Sequence, residues 1–82
     1  MIPELTKAAQ RDLKRLAKSD AAAILDGIER FCESGVGDVK KLHDFKPPTW
    51  RLRVGRYRVL FRPEDAKMVI ITVVLRRDAP YA

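Results

Sequence analysis

Apolar residues recur every three to four positions through the first half of this chain, which is the spacing of amphipathic helices. The first such run predicts a helix from Thr6, a candidate N-cap, to Lys18. Its apolar side consists of Leu5, Ala9, Leu13 and Leu16. The second run predicts a helix after Ser19, another candidate N-cap, that ends at Ser34-Gly35. Its apolar stripe consists of Ala21, Ile24, Leu25, Ile28, Phe31 and Cys32.

Between Trp50 and Phe61 the pattern changes to an alternation of apolar and polar residues, which is typical of a β-hairpin with one buried face. Gly55-Arg56 fits a two-residue turn with glycine first, the type II′ preference. The apolar face of this hairpin would hold Trp50, Leu52, Val54, Tyr57, Val59 and Phe61. The opposite face would hold Arg51, Arg53, Arg56, Arg58, Leu60 and Arg62.

The remaining segments complete a small sheet. Met1 to Leu5 is broken by Pro3 and predicts at most an eroded edge strand. Residues 35–48 predict a loop that ends in two prolines, and residues 63–66 predict a turn. Residues 67–75 are nearly all apolar and predict a central strand buried on both faces. We therefore expect one α+β domain over residues 1–82, with two N-terminal helices packed on a small antiparallel sheet.

The 82-residue chain carries a formal net charge of +6, which favours an acidic partner such as nucleic acid, an anionic membrane or an acidic protein. Cys32 and His43 are the single cysteine and histidine, so a disulfide framework, a zinc cluster and a histidine-based triad all lack parts. No apolar run is long enough to span a membrane, and none near the start is typical of a secretion signal. We expect a cytoplasmic protein with no cofactor and no metal site.

The arginines of the hairpin are the main candidate functional residues. Arg53 would lie opposite Arg58, although like charges directly opposite one another destabilise a sheet. No carboxylate interrupts this face within the hairpin, so we expect an anion to bind there. Guanidinium groups suit phosphate, because each offers a planar fork of donors and stays charged. The plain alternatives are a solvated basic face and a face that binds an acidic protein without chemistry.

RNA cleavage is one chemistry that such a face supports. If the ribose 2′-OH is the nucleophile, the reaction needs no metal, but it needs cations around the phosphate and groups that take and give protons. The candidate cations are Arg51, Arg53, Arg58 and Arg76. Tyr81 is the candidate proton-transfer group, provided that neighbouring arginines lower its pKa. The candidate RNA- or ribosome-binding residues, otherwise solvated surface, are Lys7, Arg11, Lys14, Lys18, Lys46, Arg56, Arg62 and Arg77.

A longer motif contains these residues. It comprises Trp50 to Gly55 and Tyr57 to Phe61, then an apolar strand, Arg76-Arg77-Asp78 and a terminal tyrosine. This pattern resembles that of the RelE/ParE superfamily of bacterial toxins. The resemblance implies an α+β toxin that an antitoxin, encoded in the same operon, wraps and neutralises. RelE-like members cleave mRNA in the ribosomal A site, without metal, by 2′-OH attack that leaves a 2′,3′-cyclic phosphate. ParE-like members share the fold, act on DNA gyrase and are not nucleases.

By position, the resemblance assigns the catalytic roles of RelE-like enzymes to Arg51, Arg53, Arg58, Arg76 and Tyr81. Three features depart from the family pattern. Leu75 stands where many relatives have a histidine, the tail after Asp78 is one residue longer, with Pro80 before the tyrosine, and the usual first strand is eroded around Pro3.

We therefore predict the toxin of a type II toxin–antitoxin system, namely a ribosome-dependent, metal-independent endoribonuclease that cleaves mRNA. The expected partners are a cognate antitoxin with an acidic binding segment, mRNA and the ribosome, with operator DNA reached through the antitoxin and no membrane. Two alternatives are a ParE-like toxin that inhibits gyrase without catalysis and a degenerate toxin that serves as an antitoxin-binding module. The retained arginines and Tyr81 argue against the first, whereas the eroded start and the altered tail favour the second.

Overall fold

The computed structural model of this protein describes residues 1–78. Within them the elements follow in the order β1 (Ile2–Leu5), α1 (Lys7–Lys14), α2 (Lys18–Ser34), β2 (Asp38–Lys41), β3 (Trp50–Val54), β4 (Tyr57–Glu64) and β5 (Lys67–Leu75). A short 3₁₀ helix, Arg76–Asp78, follows β5. The strands form a sheet in the order β1-β5-β4-β3-β2, with β1 parallel to β5 and the other neighbours antiparallel. The predicted α+β class is confirmed, but the sheet is mixed rather than purely antiparallel.

The hydrophobic core lies between the two helices and one face of the sheet. The helices contribute Ala9 and Leu13 from α1 and Ile24, Ile28 and Phe31 from α2. The sheet contributes Leu52, Tyr57, Val59, Phe61, Met68, Ile70 and Val73. Trp50 and Val54 pack against this core as well, so the predicted apolar face of the hairpin is confirmed. Burying one large apolar side chain contributes about 1.5–3 kcal/mol, so this face holds the helices on the sheet.

Helix α1 begins at its predicted N-cap. The Thr6 hydroxyl accepts a hydrogen bond from the backbone N–H of Ala9 at 3.2 Å and donates one to the carbonyl of Ile71 at 2.9 Å. The helix ends at Lys14, four residues before its predicted end. The backbone N–H of Arg15 is shared between two carbonyls of the preceding turn, which tightens that turn and stops the helix.

Helix α2 begins at Lys18, so the predicted place of this lysine on the first helix is wrong. The N-cap is Ala17, which makes no side-chain cap hydrogen bond, and the predicted cap at Ser19 is wrong by two residues. Gly35 ends the helix as predicted, because its φ of 75° lies in the left-handed region that glycine adopts without strain. Leu25 is 43% exposed and therefore does not belong to the buried stripe. In the described part of the chain, no helix is long and apolar enough to cross a membrane.

The two edge strands were the least accessible to sequence reasoning. The β1 strand is fully formed despite Pro3, and it pairs with β5 from Ile2 opposite Lys67 to Leu5 opposite Ile70. Proline is tolerated there because an edge strand leaves some backbone donors without a ladder partner. The β2 strand lies inside the segment that was predicted as a loop, so that prediction is wrong for residues 38–41.

The last strand and the turn before it also differ in detail from the prediction. The β4 strand continues through Pro63 to Glu64, so the turn shrinks to residues 65–66. The β5 strand lies between β1 and β4 and buries the expected apolar side chains on the helix side. On the other face Val69 and Val74 are half-buried, which makes the prediction of burial on both faces wrong.

The Thr6 cap predicts a measurable loss of stability when its hydroxyl is removed. Thr6→Ala deletes the cap to Ala9 and the bond to Ile71, and we expect the free energy of unfolding to fall by about 1–2 kcal/mol. For a domain of this size, this corresponds to a lower melting temperature by about 4–8 °C per kcal/mol. Thr6→Ser keeps the hydroxyl and serves as the control. Equal melting temperatures for Thr6→Ala and the parent would show that the cap contributes nothing.

Candidate functional site

The arginine-bearing face of the hairpin is built by the register of β3 and β4. Arg53 pairs with Arg58 and Arg51 pairs with Leu60, as the turn at Gly55-Arg56 predicts. Gly55 has a φ of 57°, whereas Arg56 does not have a positive φ, which agrees with a type II′ turn. Side chains alternate across a strand, so these arginines lie on the face of the sheet that is turned away from the helices. We call this face the arginine surface; it consists of Arg51, Arg53, Arg58 and Arg62.

The arginine surface is less open than the sequence indicated. Arg53 is exposed, but Arg58 is only 6% exposed and the neighbouring Leu60 is 8% exposed. Both lie on β4, the middle strand, so each has an in-register neighbour on either side. Arg62 is half-buried, and its Nε has no hydrogen-bond partner within residues 1–78. The expectation of an open arginine face is therefore wrong around Arg58.

The edge strand β2 adds a carboxylate to this surface. Oδ1 of Asp38 lies 3.2 Å from Nη1 of Arg51, and its Oδ2 lies 3.4 Å from Nε of Arg53. Arg51 also donates to the backbone carbonyl of Asp38 at 3.1 Å. The hairpin itself supplies no carboxylate, as expected, but β2 brings one to the same arginines. Sequence reasoning missed Asp38 because it placed this residue in a loop, and Val39 was the single apolar signal of a strand there.

The charge state of Asp38 follows from these contacts. The hydrogen bond from Arg51 holds the pKa of the Asp38 carboxyl below its usual value; desolvation opposes this effect, and the charges of Arg51, Arg53 and Arg58 support it. Because this pKa is lowered on folding, the carboxylate adds to stability above the unfolded pKa, and that contribution is lost as the pH falls through the folded pKa. Asp38 is therefore ionised at neutral pH.

Arg56 lies on the helix side of the sheet rather than on the arginine surface. Its Nη2 donates to Oδ2 of Asp20 on α2 at 3.2 Å, and its guanidinium carbon lies 5.6 Å from the centre of the Tyr57 ring. Tyr57 donates its hydroxyl to the same carboxylate at 2.9 Å. Arg56 is the second residue of the turn, so the alternation of side chains along a strand does not decide on which face its side chain lies. Its predicted place on the basic face is therefore wrong.

Arg76 and Arg77 lie in the 3₁₀ helix at the end of β5, and both are exposed. The backbone N–H of Arg76 donates to the carbonyl of Arg56 at 2.8 Å, which fixes this helix beside the hairpin turn. An open cleft of about 510 Å³ is lined there by Arg56, Tyr57, Leu75, Arg76 and Arg77. Val74 of β5 lies opposite Arg58 of β4. Arg76 comes two residues after Val74 in the chain, so it lies near the end of the sheet that carries Arg58. Tyr81 lies outside the described residues, and its role stays a prediction.

The predicted RNA-binding residues are divided between two sides of the molecule. Lys7, Arg11 and Lys14 are exposed on α1, and Lys18 is exposed at the start of α2. These residues belong to the helix layer, whereas Arg62 lies on the arginine surface across the sheet. Lys46 is exposed in the segment between β2 and β3. Residues 1–78 contain no group of three or more His, Cys, Asp and Glu side chains that could hold a metal ion.

Two comparisons with known proteins found proteins of toxin–antitoxin systems. The sequence model of the ParE toxin of type II toxin–antitoxin systems matches residues 4–81. No curated protein sequence matches this chain. The toxin–antitoxin complex RelBE2 from Mycobacterium tuberculosis contains a similar chain: the identity is 31%, the match covers 92% of this chain and 96% of that chain, and the TM-score is 0.71. The archaeal RelE–RelB complex from Pyrococcus horikoshii gives 24% identity, coverage of 95% and 97%, and a TM-score of 0.76.

Proposed function

This chain belongs to the ParE toxin family of type II toxin–antitoxin systems. From the arginines that its hairpin brings together, we propose that it is a RelE-like endoribonuclease. It cleaves mRNA on the ribosome, without a metal ion, by attack of a ribose 2′-OH. Its natural inhibitor is an antitoxin that is encoded beside it and binds it in the cytoplasm. The toxin contacts operator DNA only through this antitoxin. The similar solved structures support the antitoxin partner, because several are complexes of a toxin with a RelB-type antitoxin.

The observation that carries this proposal is the close approach of three arginines on two neighbouring strands. Arg53 lies directly opposite Arg58, a position in which paired residues of an antiparallel sheet have Cα atoms about 4.5–5.5 Å apart. Arg51 lies two residues from Arg53 on the same face of β3. Like charges on directly opposite residues destabilise a sheet, and the single carboxylate of Asp38 offsets only part of this repulsion. A phosphate bound among the three guanidinium groups would attract each of them and offset more of it.

The proposed reaction breaks the P–O5′ bond of the RNA backbone. The 2′-oxygen attacks the adjacent phosphorus and loses its proton, the 5′-oxygen leaves and gains a proton, and the products are a 2′,3′-cyclic phosphate and a 5′-hydroxyl. The phosphoryl oxygens gain negative charge on the way, and nearby cations stabilise that charge. In this scheme, Arg51, Arg53, Arg58 and Arg76 stabilise the phosphate, and Tyr81 transfers a proton.

The exposed basic residues of the helix layer have a different proposed role. Lys7, Arg11 and Lys14 are exposed on α1, which contributes to the core on the face of the sheet opposite the arginine surface. The many phosphates of ribosomal RNA suit such exposed cations. We place them as contacts to the ribosome, together with Lys18 and Lys46.

A second candidate is a ParE-like toxin that inhibits DNA gyrase. Two observations favour it: the matching family model is that of ParE, and Asp38 neutralises part of the arginine surface. Against it stands the concentration of arginines on one face, which a protein that binds gyrase without chemistry does not need. The eroded first strand that favoured a degenerate toxin is not observed, because β1 is fully formed.

The test is induced expression followed by primer extension on a translated reporter mRNA. We expect new 5′ ends within the translated region, dependent on ribosomes and with a 2′,3′-cyclic phosphate on the upstream fragment. In a purified translation reaction, chelation of trace transition metals at constant magnesium should leave the cleavage rate unchanged. Loss of cleavage under chelation would contradict the metal-free chemistry. Intact mRNA together with inhibited DNA supercoiling would establish the gyrase toxin instead.

A further inference from the structure

The carboxylate of Asp38 bridges two guanidinium groups that the cleavage reaction would need. Its Oδ1 accepts a hydrogen bond from Nη1 of Arg51 at 3.2 Å, and its Oδ2 forms an ion pair with Nε of Arg53 at 3.4 Å. We propose that Asp38 is a built-in counter-anion that occupies Arg51 and Arg53 until an RNA phosphate displaces it, and so sets how tightly the arginine surface binds RNA. The inference rests on the proposed function, because it takes this surface to be the one that meets RNA.

The geometry allows the carboxylate to leave without disturbing the arginines. The Asp38 side chain is 54% exposed, and β2 is a four-residue strand at the edge of the sheet. Exposed ion pairs contribute little to stability, so the contact with Arg53, whose side chain is 39% exposed, is inexpensive to break. The Arg51 side chain is only 12% exposed, so its contact with the carboxylate costs more to break. Arg51 stays held by its second hydrogen bond, to the backbone carbonyl of Asp38, when the carboxylate swings away.

A phosphate on this surface would meet more positive charge than Asp38 neutralises. Arg58 lies directly opposite Arg53, and its charge also helps to lower the pKa of Asp38, so all three arginines attract this carboxylate. One carboxylate carries a single negative charge against them. The counter-anion therefore weakens binding of free RNA without closing the surface to RNA that the ribosome holds in position.

The experiment measures binding apart from cleavage. A fluorescent ten-nucleotide 2′-O-methyl RNA, which has no free 2′-OH and stays intact, is titrated with the full-length chain at several salt concentrations. For Asp38→Asn we expect about fivefold tighter binding, the scale of one exposed ion pair. The slope of log K against log salt should steepen by about 0.7 for each further phosphate of a single strand that the variant neutralises.

Two further variants separate this effect from net charge. Glu4→Gln removes the same charge from an exposed pair with Lys67 at 3.9 Å on β1, the edge strand at the other end of the sheet. It should change affinity by less than about twofold and leave the salt slope unchanged, because four strand spacings of about 4.8 Å separate β1 from β2 and charges beyond a Debye length of about 10 Å are screened. Asp38→Glu keeps a carboxylate and should bind RNA like the parent.

Several results would overturn the proposal. Equal effects of Asp38→Asn and Glu4→Gln would mean that Asp38 acts only through the net charge of the protein, and weaker binding by Asp38→Asn would mean that the carboxylate holds the arginines ready for RNA. A measurement on the unaltered chain covers a variant that does not fold: the carboxyl ¹³C signal of Asp38 should move when RNA is added, and a fixed signal would refute displacement. Absence of mRNA cleavage would contradict the proposed nuclease activity, whereas the binding measurements would still test the proposed role of Asp38.

Discussion

Arg58→Met is expected to reduce mRNA cleavage by about a hundredfold or more while the protein still folds. The guanidinium of Arg58 is the proposed phosphate ligand at the centre of the sheet, opposite Arg53. Removing one contact that stabilises transition-state charge costs about 2.7–4 kcal/mol in other enzymes. Methionine is preferred to alanine because Arg58 is 6% exposed, and an unbranched flexible chain fills the volume of the lost aliphatic stem.

The matched control for this substitution lies two residues along the same strand. Leu60 is 8% exposed on the same face of β4, so Leu60→Met perturbs packing at a similar depth without removing a charge. Swaps between leucine and methionine usually cost less than about 1.5 kcal/mol. Cleavage by Leu60→Met should therefore stay near the parental rate. A fully active Arg58→Met variant would remove this arginine from the mechanism, and a comparable loss in both variants would assign the effect to packing.

Tyr81→Phe is expected to slow cleavage by about a hundredfold or more and to leave RNA binding unchanged. The tail offers one phenol and no histidine. Phenylalanine keeps the ring and removes the group that exchanges a proton, and general acid–base catalysis contributes about 10²–10⁴-fold. The measurement is the single-turnover cleavage rate on ribosome-bound mRNA, beside the affinity for the 2′-O-methyl RNA.

The control for the tyrosine is the other tyrosine of the chain. The Tyr57 hydroxyl donates to Asp20 on the helix side of the sheet, so Tyr57→Phe removes a structural hydrogen bond. We expect Tyr57→Phe to lower stability by about 1 kcal/mol and to cleave at the parental rate. A Tyr81→Phe variant that cleaves as fast as the parent would mean that the longer tail places the ring elsewhere and that arginines act alone.

The hairpin shows what the sequence by itself determined. The alternation from Trp50 to Phe61 identifies the buried face, and the turn at Gly55-Arg56 sets the register that places Arg53 opposite Arg58. Both signals are local: side chains alternate with a period of two, and a two-residue turn leaves one way to pair its strands. The apolar periodicity of the two helices determined their buried sides in the same manner, with Leu25 as an exception.

The tertiary structure alone decided the edges of the sheet. The β1 and β2 strands are four residues each and largely exposed, so neither has enough buried positions to produce a recognisable period. They form because β5 and β3 offer unpaired backbone donors and acceptors along their open sides. A strand that buries side chains produces a recognisable apolar period in the sequence, whereas a strand held mainly by backbone pairing with its neighbour does not.

The same reason explains the main error about the candidate site. The arginines come from the hairpin, where local rules hold, and their positions followed from the sequence apart from Arg56 in the turn. The carboxylate between them comes from Asp38, which precedes Arg51 by thirteen positions and reaches it through the pairing of β2 with β3. The burial of Arg58 likewise depends on the strands that flank β4 on both sides. The sequence thus determined which arginines face one another. The assembled sheet determined that a carboxylate already pairs with two of them before any phosphate binds.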